Sequence, residues 1–276
     1  MAKTYREVLS WASSFLEEQG VEGHSILYVL LGRKNWRKTD WLLNWHKEMP
    51  ESEQQQLQQD VKQLAAHYPA QYILGFEEFY GHRFKVTEAT LIPRPETEEL
   101  VALCLETCPD APLYVVDVGT GTGAIGISLK LERPTWEVAV VDLSPDALKV
   151  AQENAETLNA PLSFYEGDTL APINQPIDIL ISNPPYIAAD EWSVMDESVR
   201  TFEPKMALFA EEEGLAIYQK LAQQAKEKLK PSGKIFLEIG FQQGKAVQIL
   251  FQTAFPHKKV TIYPDLSGRD RMIVVE

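Results

Sequence analysis

The sequence predicts an α/β fold, with a parallel, doubly wound sheet preceded by a small helical domain. From residue 113 onward, short apolar runs alternate with helix-like segments, the pattern of strands and crossover helices in a buried parallel sheet. In residues 1–70, apolar side chains instead recur at three- and four-residue spacing, the period of an amphipathic helix. We expect a helical bundle over 1–72, a β-hairpin linker over 73–93 and a sheet domain over 94–276.

In the helical region, the inward face of the first helix is predicted to consist of Tyr5, Val8, Leu9, Ala12, Phe15 and Leu16. Further along, Trp36, Trp41, Leu42 and Trp45 form a cluster that we expect to pack in the core of the bundle. Ser52 can cap a later helix, because its hydroxyl can accept from the free N–H groups of the first turn.

The linker is predicted from two short strands over 76–80 and 83–86, joined at Gly81 and His82. Two prolines then flank Arg94 and hold it in an extended segment. Thr97 is predicted to cap the helix that follows, whose first turn would be acidic.

The sheet domain is predicted element by element from its apolar runs. The predicted strands are 113–119, 137–142, 162–166, 177–182, 234–240, 258–263 and 271–275. The predicted helices are 123–131, 145–158 with Ser144 as its cap, 214–229 and a last one that ends near 254. Residues 230–233, Lys-Pro-Ser-Gly, are expected to form a turn before the fifth strand.

Composition bounds the class of protein. The 276 residues include 40 acidic and 26 basic side chains, a net charge of −14. A protein that binds the phosphates of nucleic acid needs a basic face. The negative net charge therefore argues against nucleic acid and favours a small molecule or a protein as partner. No apolar run is long enough to span a membrane, and charged residues interrupt the N-terminal stretch, so we expect neither an anchor nor a secretory signal.

Cysteine and histidine usage gives no sign of a metal. Cys104 and Cys108 are expected to be reduced thiols, and the five histidines are scattered without the spacing of metal ligands. We therefore expect a cytoplasmic protein that acts as a monomer without a metal.

The first candidate site is a glycine-rich turn over 117–123, Asp-Val-Gly-Thr-Gly-Thr-Gly, between a strand and a helix. Glycines let a ligand approach the backbone, and ligands of open α/β sheets bind beyond the carboxyl ends of the strands. Gly121, Gly123 and Gly126 also satisfy a dinucleotide pattern, with Asp142 near the position of a ribose ligand. Asp117 favours another ligand, because its charge suits the ammonium of S-adenosylmethionine better than a pyrophosphate. The dinucleotide-dependent dehydrogenase stays as the alternative.

The second candidate site is Asn183-Pro184-Pro185-Tyr186, directly after an apolar strand. The Asn183 side-chain oxygen and the Pro184 carbonyl can converge on one NH2 group, with the ring of Tyr186 beside it. Such a pocket suits a planar amino group, which is a poor nucleophile, and positioning would then supply most of the acceleration. Adenine, guanine and a glutamine amide all carry such a group.

Several strings together are more specific than either motif. They are QYILG (71–75), FYGHRF (79–84), LIPRPETEELV (91–101), DVGTGTGAIGISL (117–129), NPPYI (183–187), FEPKMAL (202–208), EIGFQQG (238–244) and DLSGRDR (265–271). With these strings the chain resembles the HemK/PrmC family, the glutamine N5-methyltransferases of peptide-chain release factors. The resemblance implies a class I, Rossmann-like methyltransferase sheet. It also implies methyl transfer from S-adenosyl-L-methionine to the glutamine of a Gly-Gly-Gln motif, with S-adenosyl-L-homocysteine as the other product.

The resemblance also implies roles for individual residues. The donor's amino acid end would be held by Gly119, Thr120, Gly121, Thr122 and Gly123, together with Asp117. Asp142 would bind the ribose, Asp168 or Thr169 would lie near the adenine, and residues 94–97, with Arg94, would form part of the wall over the donor. Asn183 would contact both donor and substrate, and Pro184, Pro185 and Tyr186 would complete the amide pocket, with Asn183, Pro184 and Tyr186 catalytic.

The helical domain is then expected to dock the release factor. The alternative function is an amino-methyltransferase that acts on adenine in RNA or DNA, or on the glutamine of another protein.

Overall fold

The computed structural model describes residues 3–276. The helices, in chain order, are α1 (Tyr5–Glu18), α2 (Ser25–Lys34), α3 (Lys38–Asn44), α4 (Glu51–Ala65), α5 (Ala70–Leu74), α6 (Pro95–Thr107), α7 (Ala124–Glu132), α8 (Pro145–Thr157), α9 (Glu197–Phe202), α10 (Glu211–Gly214), α11 (Ala216–Lys228) and α12 (Gly244–Ala254). The strands are β1 (Phe76–Phe79), β2 (His82–Lys85), β3 (Tyr114–Val118), β4 (Glu137–Asp142), β5 (Ser163–Glu166), β6 (Ile177–Ser182), β7 (Leu229–Glu238), β8 (Val260–Pro264) and β9 (Asp270–Val275). Two 3₁₀ helices lie at Ala189–Val194 and Lys205–Ala207.

The chain divides into two compact units. One contains the residues up to 76 together with 196–202, and the other contains 77–195 and 203–276. We call them the helical unit and the sheet unit.

The helical unit is built on the predicted apolar faces. Thr4 caps α1 through a capping box with Glu7, and the inward residues of α1, α2 and α4 form one buried cluster. The tryptophan prediction is only partly confirmed, because Trp36 and Trp41 pack against this cluster while Leu42 is 57% exposed.

The Ser52 cap is wrong. Helix α4 follows Pro50 in the cap position, and Ser52 lies in the first turn, among acidic residues that complement the helix dipole.

The hairpin of β1 and β2 forms one residue earlier than predicted. Its two turn residues are Tyr80 and Gly81, with φ angles of 49° and 77°. Positive φ at both central residues is the requirement of a type I′ turn, whose twist matches that of a hairpin. The turn therefore closes at Tyr80-Gly81, and His82 belongs to the strand.

The sheet unit contains a seven-stranded sheet in the order β5-β4-β3-β6-β7-β9-β8. The pairs from β5 to β7 are parallel, as predicted, and apolar clusters cover both faces of the sheet. The last strand, β9, runs antiparallel to both of its neighbours. A connection as short as 265–269 between β8 and β9 permits only an antiparallel pair, so the sheet is mixed.

Strand order reverses between β3 and β6. The chain moves outward through β4 and β5 on one side of β3, and through β7 on the other. Val118 at the end of β3 lies opposite Ser182 at the end of β6. The carboxyl ends of these strands therefore open a crevice at the switch point, where ligands of doubly wound sheets bind.

Strand β7 begins earlier than predicted. Leu229 already pairs with Ile177, while the next registered pair joins Lys234 to Ile179, so the register shifts along 230–233. The predicted turn of Lys-Pro-Ser-Gly is thus a bulge within a strand, a position that tolerates a proline because the ladder is interrupted there. Helix α11 ends one residue before this strand, at Lys228.

Within residues 3–276, no helix is both long enough and apolar enough to cross a membrane.

Candidate active site

The glycine-rich turn leaves β3 and opens α7. Gly119, Gly121 and Gly123 have φ angles of 70°, 55° and 81°, a region that residues with a side chain rarely adopt. A Cβ at Gly121 would meet nothing within 4 Å, whereas one at Gly123 would lie 2.8 Å from Ile127 Cδ1. The turn therefore exposes backbone at Gly121 and packs tightly where the helix begins.

The structure places Asp117 beneath this turn. Its side chain is fully buried, and Oδ2 accepts hydrogen bonds from Thr120 Oγ1 at 2.5 Å and Gly126 N at 3.1 Å. Burial raises the pKa of this carboxyl to about 7. The sequence favoured a direct contact of this charge with an ammonium group, but the carboxyl is buried against the first turn of α7 and does not line the cleft.

Asp142 ends β4 and lies at the cleft as predicted. Its Oδ2 accepts from Gly121 N at 2.9 Å and its Oδ1 from Ser144 N at 2.9 Å, while burial raises its pKa. Each carboxylate oxygen has a further lone pair. The group can therefore hold the turn and still accept hydrogen bonds from a ligand diol.

The loop after β5 is fastened by α11. Lys220 Nζ donates to Asp168 Oδ2 at 2.6 Å, and Gln224 Oε1 accepts from Thr169 Oγ1 and Leu170 N, both at 2.8 Å. Thr169 is left-handed, with φ of 53°. Sequence reasoning missed Lys220 and Gln224. Their spacing of four residues puts them on one helix face, but nothing local connects that face to residue 168.

Asn183 follows β6 and faces the cleft with Pro184 and Pro185. Its Nδ2 donates to Thr97 Oγ1 at 3.0 Å, and Thr97 Oγ1 donates to Glu238 Oε2 at 2.6 Å. The predicted capping role of Thr97 is wrong, since α6 begins at Pro95 with Arg94 in the cap position.

Glu238 was also missed. The available signal was an acid at the end of a buried apolar strand, at the same sheet edge as Asn183. Burial raises the pKa of Glu238 to about 7.

Tyr186 follows the Pro-Pro corner but is outside the cleft lining, and it packs against a buried apolar cluster of the sheet unit. Its carbonyl accepts from Gln243 Nε2 at 2.9 Å, and burial raises the pKa of its phenol to about 12. A Cβ on Gly214 would come within 2.1 Å of the same carbonyl, so only glycine fits there. The ring is neutral at ordinary pH and offers a surface for packing.

Arg94 lies outside the cleft lining defined by the described residues. It donates through Nη2 to Glu203, which is buried and also accepts from Ile92 N at 3.1 Å. Pro204 and Met206, directly after Glu203, do line the cleft. Arg94 thus fixes a wall of the cleft through Glu203.

One cleft brings most of the predicted residues together. It encloses about 830 Å³ counting its open mouth. Its lining includes Gly119, Gly121, Asp142, Asp168, Thr169, Asn183, Pro184 and Pro185. The glycine turn and the Pro-Pro corner therefore open into the same space. Within residues 3–276, the His, Cys, Asp and Glu side chains form no group of three or more that could hold a metal ion.

Two family models match the chain. The model described as the PrmC N-terminal domain matches residues 7–75, and that described as the methyltransferase small domain matches residues 98–203. A release factor glutamine methyltransferase of Enterococcus faecalis is 60% identical over 277 residues, with 100% of both chains covered. The chain belongs to the family of release factor glutamine methyltransferases.

A second member of this family, from Streptococcus pneumoniae, is 45% identical over 96% of each chain. Among solved structures, a methyltransferase from Pyrococcus furiosus superimposes with a TM-score of 0.54 at 15% identity, covering 71% of this chain and 89% of that one. At that identity the superposition shows the fold alone. The fold is the α/β sheet of Rossmann-like methyltransferases with a helical region before it, as the sequence predicted, except that β9 makes the sheet mixed.

Proposed function

We propose that this chain transfers a methyl group from S-adenosyl-L-methionine to the side-chain nitrogen of the glutamine in the Gly-Gly-Gln motif of peptide-chain release factors. The observation that carries the proposal is the single cleft into which both the glycine turn and the Pro-Pro corner open. The close match to release factor glutamine methyltransferases along the whole chain supports the choice of substrate.

The donor side of the cleft fits a nucleoside with an amino acid tail. Gly119 and Gly121 offer backbone with no side chain in the way, and Asp142 offers a carboxylate for the ribose diol. Asp168 and Thr169 would flank the base. Asp117 would act indirectly, by holding the turn through Thr120 and Gly126. When bound, S-adenosylmethionine supplies a methyl group that its sulfonium has already activated.

The acceptor side would bind the glutamine amide. The Asn183 Oδ1 and the Pro184 carbonyl would accept the two hydrogens of the amide NH2 and turn its nitrogen toward the methyl group. Because the electrophile is activated, positioning can supply the acceleration, and the nitrogen can lose its proton to solvent after the bond to carbon has formed.

The helical unit is the proposed docking part for the release factor, a protein substrate whose tip alone would enter the cleft. Leu43 and Leu42 on α3 are 77% and 57% exposed, and Trp11 on α1 is 49% exposed. Leu42 and Leu43 are adjacent in the chain, and contiguous exposed apolar surface marks sites where proteins associate. In this role the protein would act in the cytoplasm, as a monomer.

The test is mass spectrometry of the Gly-Gly-Gln peptide after a purified release factor has been incubated with the chain and S-adenosylmethionine. We expect a gain of one methyl group on the glutamine. A matched incubation with RNA and DNA gives the alternative outcome: methyl groups found only on adenine would overturn the proposed substrate.

A further inference from the structure

Three polar side chains from three elements form a hydrogen-bonded network behind the cleft. Asn183 after β6 donates from Nδ2 to Thr97 Oγ1 on α6, and Thr97 donates to Glu238 Oε2 at the end of β7. Thr97 and Glu238 are 5% and 2% exposed. We propose that Thr97 and Glu238 are positioning residues that hold the Asn183 amide with its Oδ1 directed at the substrate amide. The inference rests on the proposed function.

The donor-to-acceptor direction of these hydrogen bonds follows from the number of hydrogens that each side chain can donate. An ionised carboxylate can only accept hydrogen bonds, so Thr97 must donate its one hydroxyl hydrogen to Glu238. Toward Asn183, Thr97 can then only accept, and Asn183 must present its NH2. A flipped amide would bring Oδ1 against an oxygen that has no hydrogen left to give. The carboxylate of Glu238 thereby sets the orientation of the Asn183 amide, both through Thr97 and through its own interaction with the Asn183 side chain.

The orientation matters because the two branches of the amide are chemically opposite. With Nδ2 held by Thr97, Oδ1 occupies the other branch of a residue that lines the cleft. Only an oxygen there can accept a hydrogen from the glutamine NH2. A flipped Asn183 would place its Nδ2 donor against the NH2 donor of the glutamine. The glutamine nitrogen would then be displaced from its alignment with the methyl group.

Burial of Glu238 is otherwise unfavourable, which supports a role beyond packing. A carboxylate taken out of water costs free energy that a neutral side chain would avoid. Several groups face it: Arg271 on β9, Glu96 on α6, Tyr186 after β6 and Tyr218 on α11. The Tyr218 hydroxyl donates at 2.8 Å to the Glu238 carbonyl, which fixes the backbone from which the side chain reaches Thr97.

The experiment compares Thr97→Val with Thr97→Ser, using steady-state kinetics on a release factor and calorimetric binding of S-adenosylmethionine. Valine keeps the shape and removes the hydroxyl, so kcat should fall roughly 10- to 100-fold with unchanged donor affinity, the effect of a misplaced reacting group. Serine restores the hydroxyl and should restore kcat. Equal kcat in the two variants, or a loss in donor affinity alone, would overturn the inference.

A second variant keeps the test decisive if Thr97→Val does not fold. Burial raises the pKa of Glu238 to about 7, and the protonated carboxyl can donate to Thr97 and release the constraint on Asn183. Wild-type kcat should therefore rise with pH through this range, and Glu238→Gln should abolish that rise. A rise that persists in Glu238→Gln contradicts the inference. A wild-type enzyme that leaves glutamine unmodified would instead overturn the proposed function.

Discussion

At the scale of single residues, the acids at the carboxyl ends of the central strands perform different tasks. Asp142 holds the glycine turn from the side and still faces the cleft, whereas Asp117 holds it from below and is fully buried. Glu238 acts through Thr97 on Asn183. Burial raises the pKa of all three, so the sheet edge keeps carboxyl groups in places where ionisation is unfavourable.

Removing the Asn183 amide tests the residue that meets the substrate. Asn183→Ala should lower kcat by about 100-fold or more, the loss seen when a preorganised polar partner is deleted. Donor affinity, measured by calorimetry, should fall by much less than kcat, because Gly121 and Asp142 are unchanged. Normal turnover in this variant would remove Asn183 from the mechanism.

Asp117 should make the protein less stable as pH rises. Its pKa is raised from 3.8 to about 7 in the folded state, so between these values the folded protein binds more protons than the unfolded chain. The free energy of unfolding should therefore fall as pH rises through this window, by about 4 kcal/mol at most from this group. Urea unfolding at several pH values measures it.

The control for that effect is Asp117→Asn, which cannot titrate. The stability of wild type relative to this variant should fall between pH 4 and 7 and stay constant above 7. Asp142 contributes in both proteins, so its titration cancels to first order. A difference that is independent of pH would show that Asp117 ionises normally.

At the scale of elements, the loops of the site are held by hydrogen bonds from side chains of the surrounding helices. Helix α11 fastens the loop after β5 through Lys220 and Gln224, and α6 delivers Thr97 behind Asn183. Arg94, which precedes α6, donates a hydrogen bond to Glu203, and the next residue, Pro204, lines the cleft. Loops at the sheet edge thus owe their shape to side chains of the surrounding helices.

Gln224→Leu tests the fastening by α11. It removes two hydrogen bonds to Thr169 and Leu170, so the affinity for S-adenosylmethionine should drop by about 10-fold, equivalent to about 1.4 kcal/mol. Gln223→Leu is the matched control, because Gln223 is exposed on the same helix. Equal donor affinity in the two variants, measured by calorimetry, would show that the loop holds its shape without α11.

At the scale of the whole molecule, the chain combines the sheet unit, whose fold is shared with other methyltransferases, with the helical unit. The sheet unit carries the cleft, and the helical unit carries exposed apolar side chains on α1 and α3. The net charge of −14 fits a protein substrate better than a phosphate backbone. The separate contributions of the two units to substrate binding can therefore be measured by comparing an intact release factor with a short peptide.

Leu42→Ser with Leu43→Ser tests the docking role of the helical unit. The double variant should raise KM for the intact release factor several-fold and leave kinetics on a short Gly-Gly-Gln peptide unchanged. Leu266→Ser is the control, since Leu266 is 94% exposed but belongs to the sheet unit. An unchanged KM for the intact substrate would exclude this face of α3 from docking.

The sequence by itself determined the parts that depend on local pattern. The apolar period separates helices from strands, and Ser144-Pro145 and the glycine turn mark helix starts that the structure confirms. Asn183 and Asp142 could be placed at one sheet edge because parallel strands share a direction. The antiparallel β9 and the bulge in β7 were missed, since pairing and register depend on partners distant in sequence.

Only the tertiary structure decided which polar side chains meet. Thr97 and Glu238 are 141 residues apart, and their contact exists because α6 packs at the end of β7. Asp117 lies below the turn rather than in the cleft because its carboxyl packs against the start of α7, where Gly126 N donates to it and water is excluded. A sequence records each side chain's chemistry, but burial and partners are properties of the packed molecule, and these set the direction of the hydrogen bonds on which the proposed mechanism depends.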